Sequence, residues 1–107
     1  MELIQSNDNN LIFKGLVAIR KILSLEDTNY QQITQKGFIF YANKFLSYNL
    51  YEFQYEALTC IKKLCTLHPN NINSFVNKGG LTNINKLIDS TIQDIQELVL
   101  IMKLKTI

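Results

Sequence analysis

Tryptophan is absent from this chain of 107 residues, and histidine and proline occur once each. There are only two cysteines, Cys60 and Cys65. Each scarcity removes a class of function. With His68 as its single imidazole, the chain has few options for general acid–base work and no pair of histidines at ligand spacing. The two cysteines stand five positions apart, so on a helix their thiols point in quite different directions. Neither a zinc quartet nor a disulfide framework can be built from them. Buried, reduced thiols are expected, in keeping with a cytoplasmic or nuclear location. An excess of one charge is also lacking. The net charge is +2 and the pI about 8.5, with cations singly or in pairs such as Arg20-Lys21 and Lys62-Lys63. Nucleic-acid binders usually show a basic patch and a domain pI above about 9, so no nucleic-acid partner is expected. No apolar run approaches the ~18 residues of a membrane span. The opening residues Met1-Glu2-Leu3-Ile4-Gln5 carry an acid and no long apolar core, unlike a secretory signal. No membrane partner is expected. Phosphate loops, nucleophile elbows and paired His/Asp/Glu ligands are missing too, so we expect no catalytic residue, no metal and no cofactor.

What is present is a repeat. Hydrophobic residues make up 47% and charged residues 19%, enough for a folded domain rather than a disordered chain. Lys36, Gly37, Asn43 and Lys44 reappear as Lys78, Gly79, Asn85 and Lys86, each 42 positions on. The same offset lays Ile19-Arg20-Lys21-Ile22 on Ile61-Lys62-Lys63-Leu64, Ala18 on Cys60, and Glu52-Phe53-Gln54 on Asp94-Ile95-Gln96. A period near this value characterises armadillo and HEAT solenoids, at about 40–47 residues, whereas tetratricopeptide and ankyrin arrays repeat every 33–34 or so.

Each unit reads as helices. Phe53, Ala57, Cys60, Ile61 and Leu64 mark one face of a helix running from Asn49 or Glu52 to about Leu67. Pro69 stops it, because proline lacks the backbone donor and clashes with the preceding turn. A short helix is expected over 71–77, a sharp corner at Gly79-Gly80, and a further helix over 81–88 with Leu81, Ile84, Leu87 and Ile88 on its apolar face. Asp89-Ser90-Thr91 offers caps to the next helix, and Asn70, Asn71 and Asn73 suit caps and turns. The same plan gives helices over 11–25, 29–35 and 38–46, with Gly37 at the corner. Gly15 lies inside the first long helix, where it costs ~1 kcal/mol against alanine; close packing on a neighbouring helix accounts for it. One short and two longer helices per unit favour armadillo over HEAT. The expected fold is all-α, an armadillo-repeat right-handed superhelix. It forms one domain over 1–107, with a partial repeat over 1–25 and repeats over 29–67 and 70–107.

In this order the residues resemble the N-terminal armadillo repeats of the importin-α family. Ile4-Gln5-Ser6-Asn7-Asp8 looks like the segment before the family's first long helix. Ala18-Ile19-Arg20-Lys21-Ile22-Leu23-Ser24 resembles its arginine-lysine-leucine-leucine-serine helix end, and Ile33-Thr34-Gln35-Lys36-Gly37 its corner. Gln54-Tyr55-Glu56-Ala57 and Asp94-Ile95-Gln96-Glu97 are similar to the starts of its next long helices. The resemblance implies a nuclear import adaptor fragment. In that family the third helix of each repeat lines a concave groove, where a tryptophan and an asparagine one turn later clamp an extended lysine-rich nuclear localisation signal. Indole faces stack on lysine stems, asparagines pair with the peptide backbone, and acids receive the ammonium groups.

The corresponding groove positions in this chain are Thr59 with Lys63 and Ile101 with Lys105. Neither pair keeps the clamp. Lysine brings donors only and a positive charge, which repels a lysine-rich ligand by ~1 kcal/mol or more per residue at close range. A protein or extended peptide is the expected partner. The alternatives to import are a scaffold for an unrelated peptide, an acidic one being one option, or a degenerate truncated relative without import activity. Lys62, Lys63, Lys103 and Lys105 fall on the groove side. Tyr41, Tyr48, Tyr51 and Tyr55 form either core-edge packing or a peptide platform. The family's basic N-terminal arm and later repeats have no counterpart here, and Leu100, Ile101, Leu104 and Ile107 are expected at an uncapped edge suited to self-association.

Overall fold

The computed structural model describes residues 3–25, 30–35, 37–90 and 92–105, and the side chains of all of these except 30, 35 and 105. Lys36, Thr91 and Ile107, and the expected helix start at Asn29, lie outside the described residues.

A short 3-10 turn, Leu3–Gln5, leads into helix α1, Asn9–Leu23. Asp8 caps α1, its carboxylate accepting from the Asn10 N–H at 2.8 Å, which satisfies one of the helix's free donors. Gly15 is buried, and the neighbour packed closest on it is the short 3-10 helix. A Cβ there would come within 2.8 Å of the Leu3 Cβ.

Two three-helix units follow. The first comprises α2 (Tyr30–Gln35), α3 (Phe38–Leu46) and α4 (Tyr51–Leu67). The second comprises α5 (Asn70–Asn77), α6 (Gly80–Leu87) and α7 (Gln93–Lys105). The corners expected at glycine are real: Gly37 has φ 80° and Gly79 φ 90°, left-handed conformations that a side chain disfavours. Among the described residues the secondary structure is entirely helical, and the fold is an armadillo-type α-solenoid.

The long helices stack in the order α1, α4, α7, with α3 and α6 behind them. The core runs continuously through the stack, from Ile4 and Leu16 through Phe38, Phe45, Ala57, Ile61 and Leu64 to Phe75, Ile84, Ile95 and Met102. All five residues expected on the buried face of α4 are buried. On α6, Ile84 and Leu87 are buried and Ile88 is partly so, but Leu81 is 39% exposed against 2% for its repeat equivalent Ile39. The helix carrying Ile39, α3, packs against α5 and α6 of the following unit, and among the described elements α6 has no such follower.

Asparagines tie the units together, and Asn70, Asn71 and Asn73, expected at caps and turns, lie within α5. Buried Asn43 donates to the Phe75 carbonyl, and Asn83 donates to the Asn43 carbonyl at 2.9 Å. Asn71, also buried, donates to the Leu64 carbonyl near the end of α4. Each removes a polar group from water at little net cost because its partner is in place.

Candidate functional site

The seam between α1 and α4 opens into a cleft of about 320 Å³. Arg20, Leu23 and Ser24 form one wall; Tyr55, Thr59, Cys60, Lys62 and Lys63 form the other. The structure therefore brings together Thr59 and Lys63, two of the four groove positions expected by resemblance. Ile101 stands on α7, 38% exposed, and is not part of this cleft. Lys105 closes α7, and its side chain lies outside the described residues. The Thr59 hydroxyl is turned back on its own helix, donating to the Tyr55 carbonyl at 2.8 Å.

The charges around the cleft are not equivalent. Arg20 donates from its Nε to Glu56, which is only 7% exposed. A buried carboxylate requires such a partner, and the pair consumes the Arg20 charge. Glu56 sits three positions after Phe53 on the apolar stripe of α4, and a carboxylate at such a position is the sequence signal for a hidden cation partner. Lys62 and Lys63 have no ion pair among the described residues, so they set the sign of the open cleft. Its floor is inert. Burial, then the nearby Glu56 charge, push the Cys60 thiol up to about 12, against an opposing pull from Arg20. Cys60 and Cys65 are both buried.

A second, smaller hollow of about 150 Å³ lies on the other side of Tyr55. Phe13 of α1, Tyr51, Glu52, Tyr55 and Glu56 of α4, and Ile92 and Asp94 at the start of α7 line it. The four clustered tyrosines thus divide. Tyr41 and Tyr48 pack against the core, Tyr48 stacking on Phe53 at 5.7 Å. Tyr51 and Tyr55 are 51% and 37% exposed and line the hollows. Sequence spacing alone could not divide them, because the facing helix decides which ring is covered.

No family model and no curated protein matches this chain by sequence. Solved structures do match it. One is a designed armadillo repeat protein, with TM-score 0.86 and 17% identity over 99% of this chain and 44% of that one. Two others are engineered proteins, each with TM-score 0.84 and 21% identity over 97% of this chain, and over 42% and 25% of their own lengths. The chain thus spans less than half the length of each. At these identities the likeness fixes the fold and not the ligand. The chain has the armadillo-repeat fold.

Proposed function

We propose that this chain is a non-catalytic protein-binding module that holds an extended acidic peptide along the α1–α4 seam. The observation that carries the reading is the cleft walled by Tyr55, Thr59, Lys62 and Lys63, whose cations are unspent while Arg20 is paired with Glu56. Tyr55 offers a flat amphipathic wall for a peptide backbone, and the lysines offer ammonium groups to carboxylates. Each exposed lysine contributes roughly 0.2–1 kcal/mol, so selectivity comes from sign more than from strength.

Importin-like cargo binding is the less favoured version of the same idea. It rests on the order of the resembling segments, and it meets Lys63 where an asparagine is needed. Fluorescence anisotropy with labelled acidic and lysine-rich peptides of equal length separates the two. The acidic peptide is expected to bind about tenfold tighter at low salt, and K62E/K63E to reverse the order. Tighter binding of the lysine-rich peptide to the unaltered chain refutes the acidic-ligand reading and restores the import reading.

A further inference from the structure

The hollow beyond Tyr55 differs in chemistry from the cleft beside it. Two pairs of repeat-equivalent positions meet there: Phe13 with Tyr55, and Glu52 with Asp94, each 42 apart. Three stacked helices contribute, so its geometry is set by the rigid core rather than by a loop. Phe13, Tyr51 and Tyr55 supply aromatic surface around a space of about 150 Å³, with the exposed carboxylates of Glu52 and Asp94 at its edge. The third acid, Glu56, is already held by Arg20.

A carboxylate in the first turn of a helix is favoured by the helix dipole, which accounts for an acid at each of these two positions. It does not account for two aromatic side chains left substantially exposed beside them. Aromatic faces attract cations through their quadrupole, and carboxylates add a full charge. An alkyl stem ending in a cation satisfies both at once, its methylenes on the rings and its head on the acids.

We infer that the hollow lined by Phe13, Tyr51 and Tyr55 and edged by Glu52 and Asp94 receives the cationic side chain of a lysine- or arginine-type residue. Joined to the proposed acidic-peptide reading, on which this extension rests, the seam reads a bipolar ligand. Glu52 and Lys63 are separated along α4 by about 16 Å at ~1.5 Å per residue. An extended peptide covers that in about five residues. The ligand therefore carries a cation about five positions from its acidic run.

The hollow is tested by itself first. N-acetyl-lysine methylamide is titrated into the labelled full chain at constant ionic strength and followed by NMR, with the norleucine analogue as the uncharged control. Saturable shifts are expected on the Phe13, Tyr51 and Tyr55 rings with lysine, largely lost with norleucine and in E52Q/D94N. Equal shifts from norleucine, unchanged shifts in E52Q/D94N, or no shifts on those rings overturn the inference. Single substitutions E52Q and D94N serve as well should the pair unfold the chain, each being expected to weaken the response.

In the second arm, an acidic peptide carrying lysine five positions from its acids is compared with its norleucine version. A gain of about three- to tenfold is expected, and E52Q/D94N removes the difference between the two peptides without weakening the norleucine one. A peptide that binds equally well with either residue overturns the bipolar reading and leaves the acidic one standing. If neither peptide binds, the acidic reading fails with its bipolar extension, and the amino-acid titration still decides the hollow.

Discussion

The two three-helix units share a backbone plan and fill it by opposite means. After the first corner comes Phe38, fully buried, while the short helix before it presents the smaller, partly buried Ile33. Forty-two residues on, the volumes are exchanged: fully buried Phe75 projects from the short helix and Gly80 follows the corner. A Cβ on Gly80 would meet the Phe75 ring at 2.6 Å. One large aromatic side chain per corner is what the packing holds, and either helix can supply it. Repeats thus conserve the summed volume of a site rather than the residue at each position.

Removing the aromatic group is expected to have the largest effect. Phe75→Ala should destabilise the chain by about 3–5 kcal/mol in denaturant titration. The sharper form of the test is the exchange itself. Gly80→Phe and Phe75→Ile should each destabilise, and the double variant should be less destabilised than the two singles summed, by about 1 kcal/mol or more. Simple additivity would break the comparison.

The repeat-equivalent asparagines come next. Asn43 is buried and bonded to the Phe75 carbonyl, whereas Asn85 is exposed. Asn43→Ala should cost about 1–3 kcal/mol and Asn85→Ala no more than about 0.5 kcal/mol, both read from chemical melts. At the corners the units should behave alike. Neither Gly37 nor Gly79 has an atom within 4 Å of an added Cβ, so alanine at each costs backbone strain alone, about 1–2 kcal/mol.

The smallest effect compares the two seams. Cys60 faces α1, and its repeat equivalent facing the core at α7 is Met102, which does not ionise. In the unfolded chain the Cys60 thiol titrates near 9.0, and in the folded chain near 12. Between those values the unfolded state holds fewer protons, so stability falls as pH rises above about 9, by roughly 1 kcal/mol at pH 10. Cys60→Ala, which copies Ala18 at the equivalent position of α1, should lose that part of the alkaline decline while keeping the rest.

The architecture was legible because it rests on features that repeat: the 42-residue offset, the corner glycines and the apolar stripe of α4 all reappear in the fold. Helix ends shifted by one or two residues, as caps and fraying decide them. The candidate site was legible only in part. Thr59 and Lys63 could be named from the resemblance, but Arg20 and Glu56 pair across 36 positions, and no periodic signal reports such a partner. The exposed faces of Tyr51 and Tyr55 likewise depend on which helix stands opposite. At the α4–α7 seam the equivalents of Tyr55, Thr59 and Lys62 are Glu97, Ile101 and Leu104, so the same backbone there carries a more apolar surface. Leu100, Ile101 and Leu104 of α7 are exposed, which keeps self-association through the edge of the stack as a proposal for sedimentation to examine.

That contrast between seams bears most directly on function. An unlabelled acidic peptide added to the ¹⁵N-labelled chain should shift the amides of Tyr55, Thr59, Lys62 and Lys63 and the facing residues of α1, leaving Ile101 and its neighbours on α7 nearly still. Shifts centred on α7, or none at saturating peptide, would contradict the placement of the binding surface on the α1–α4 seam.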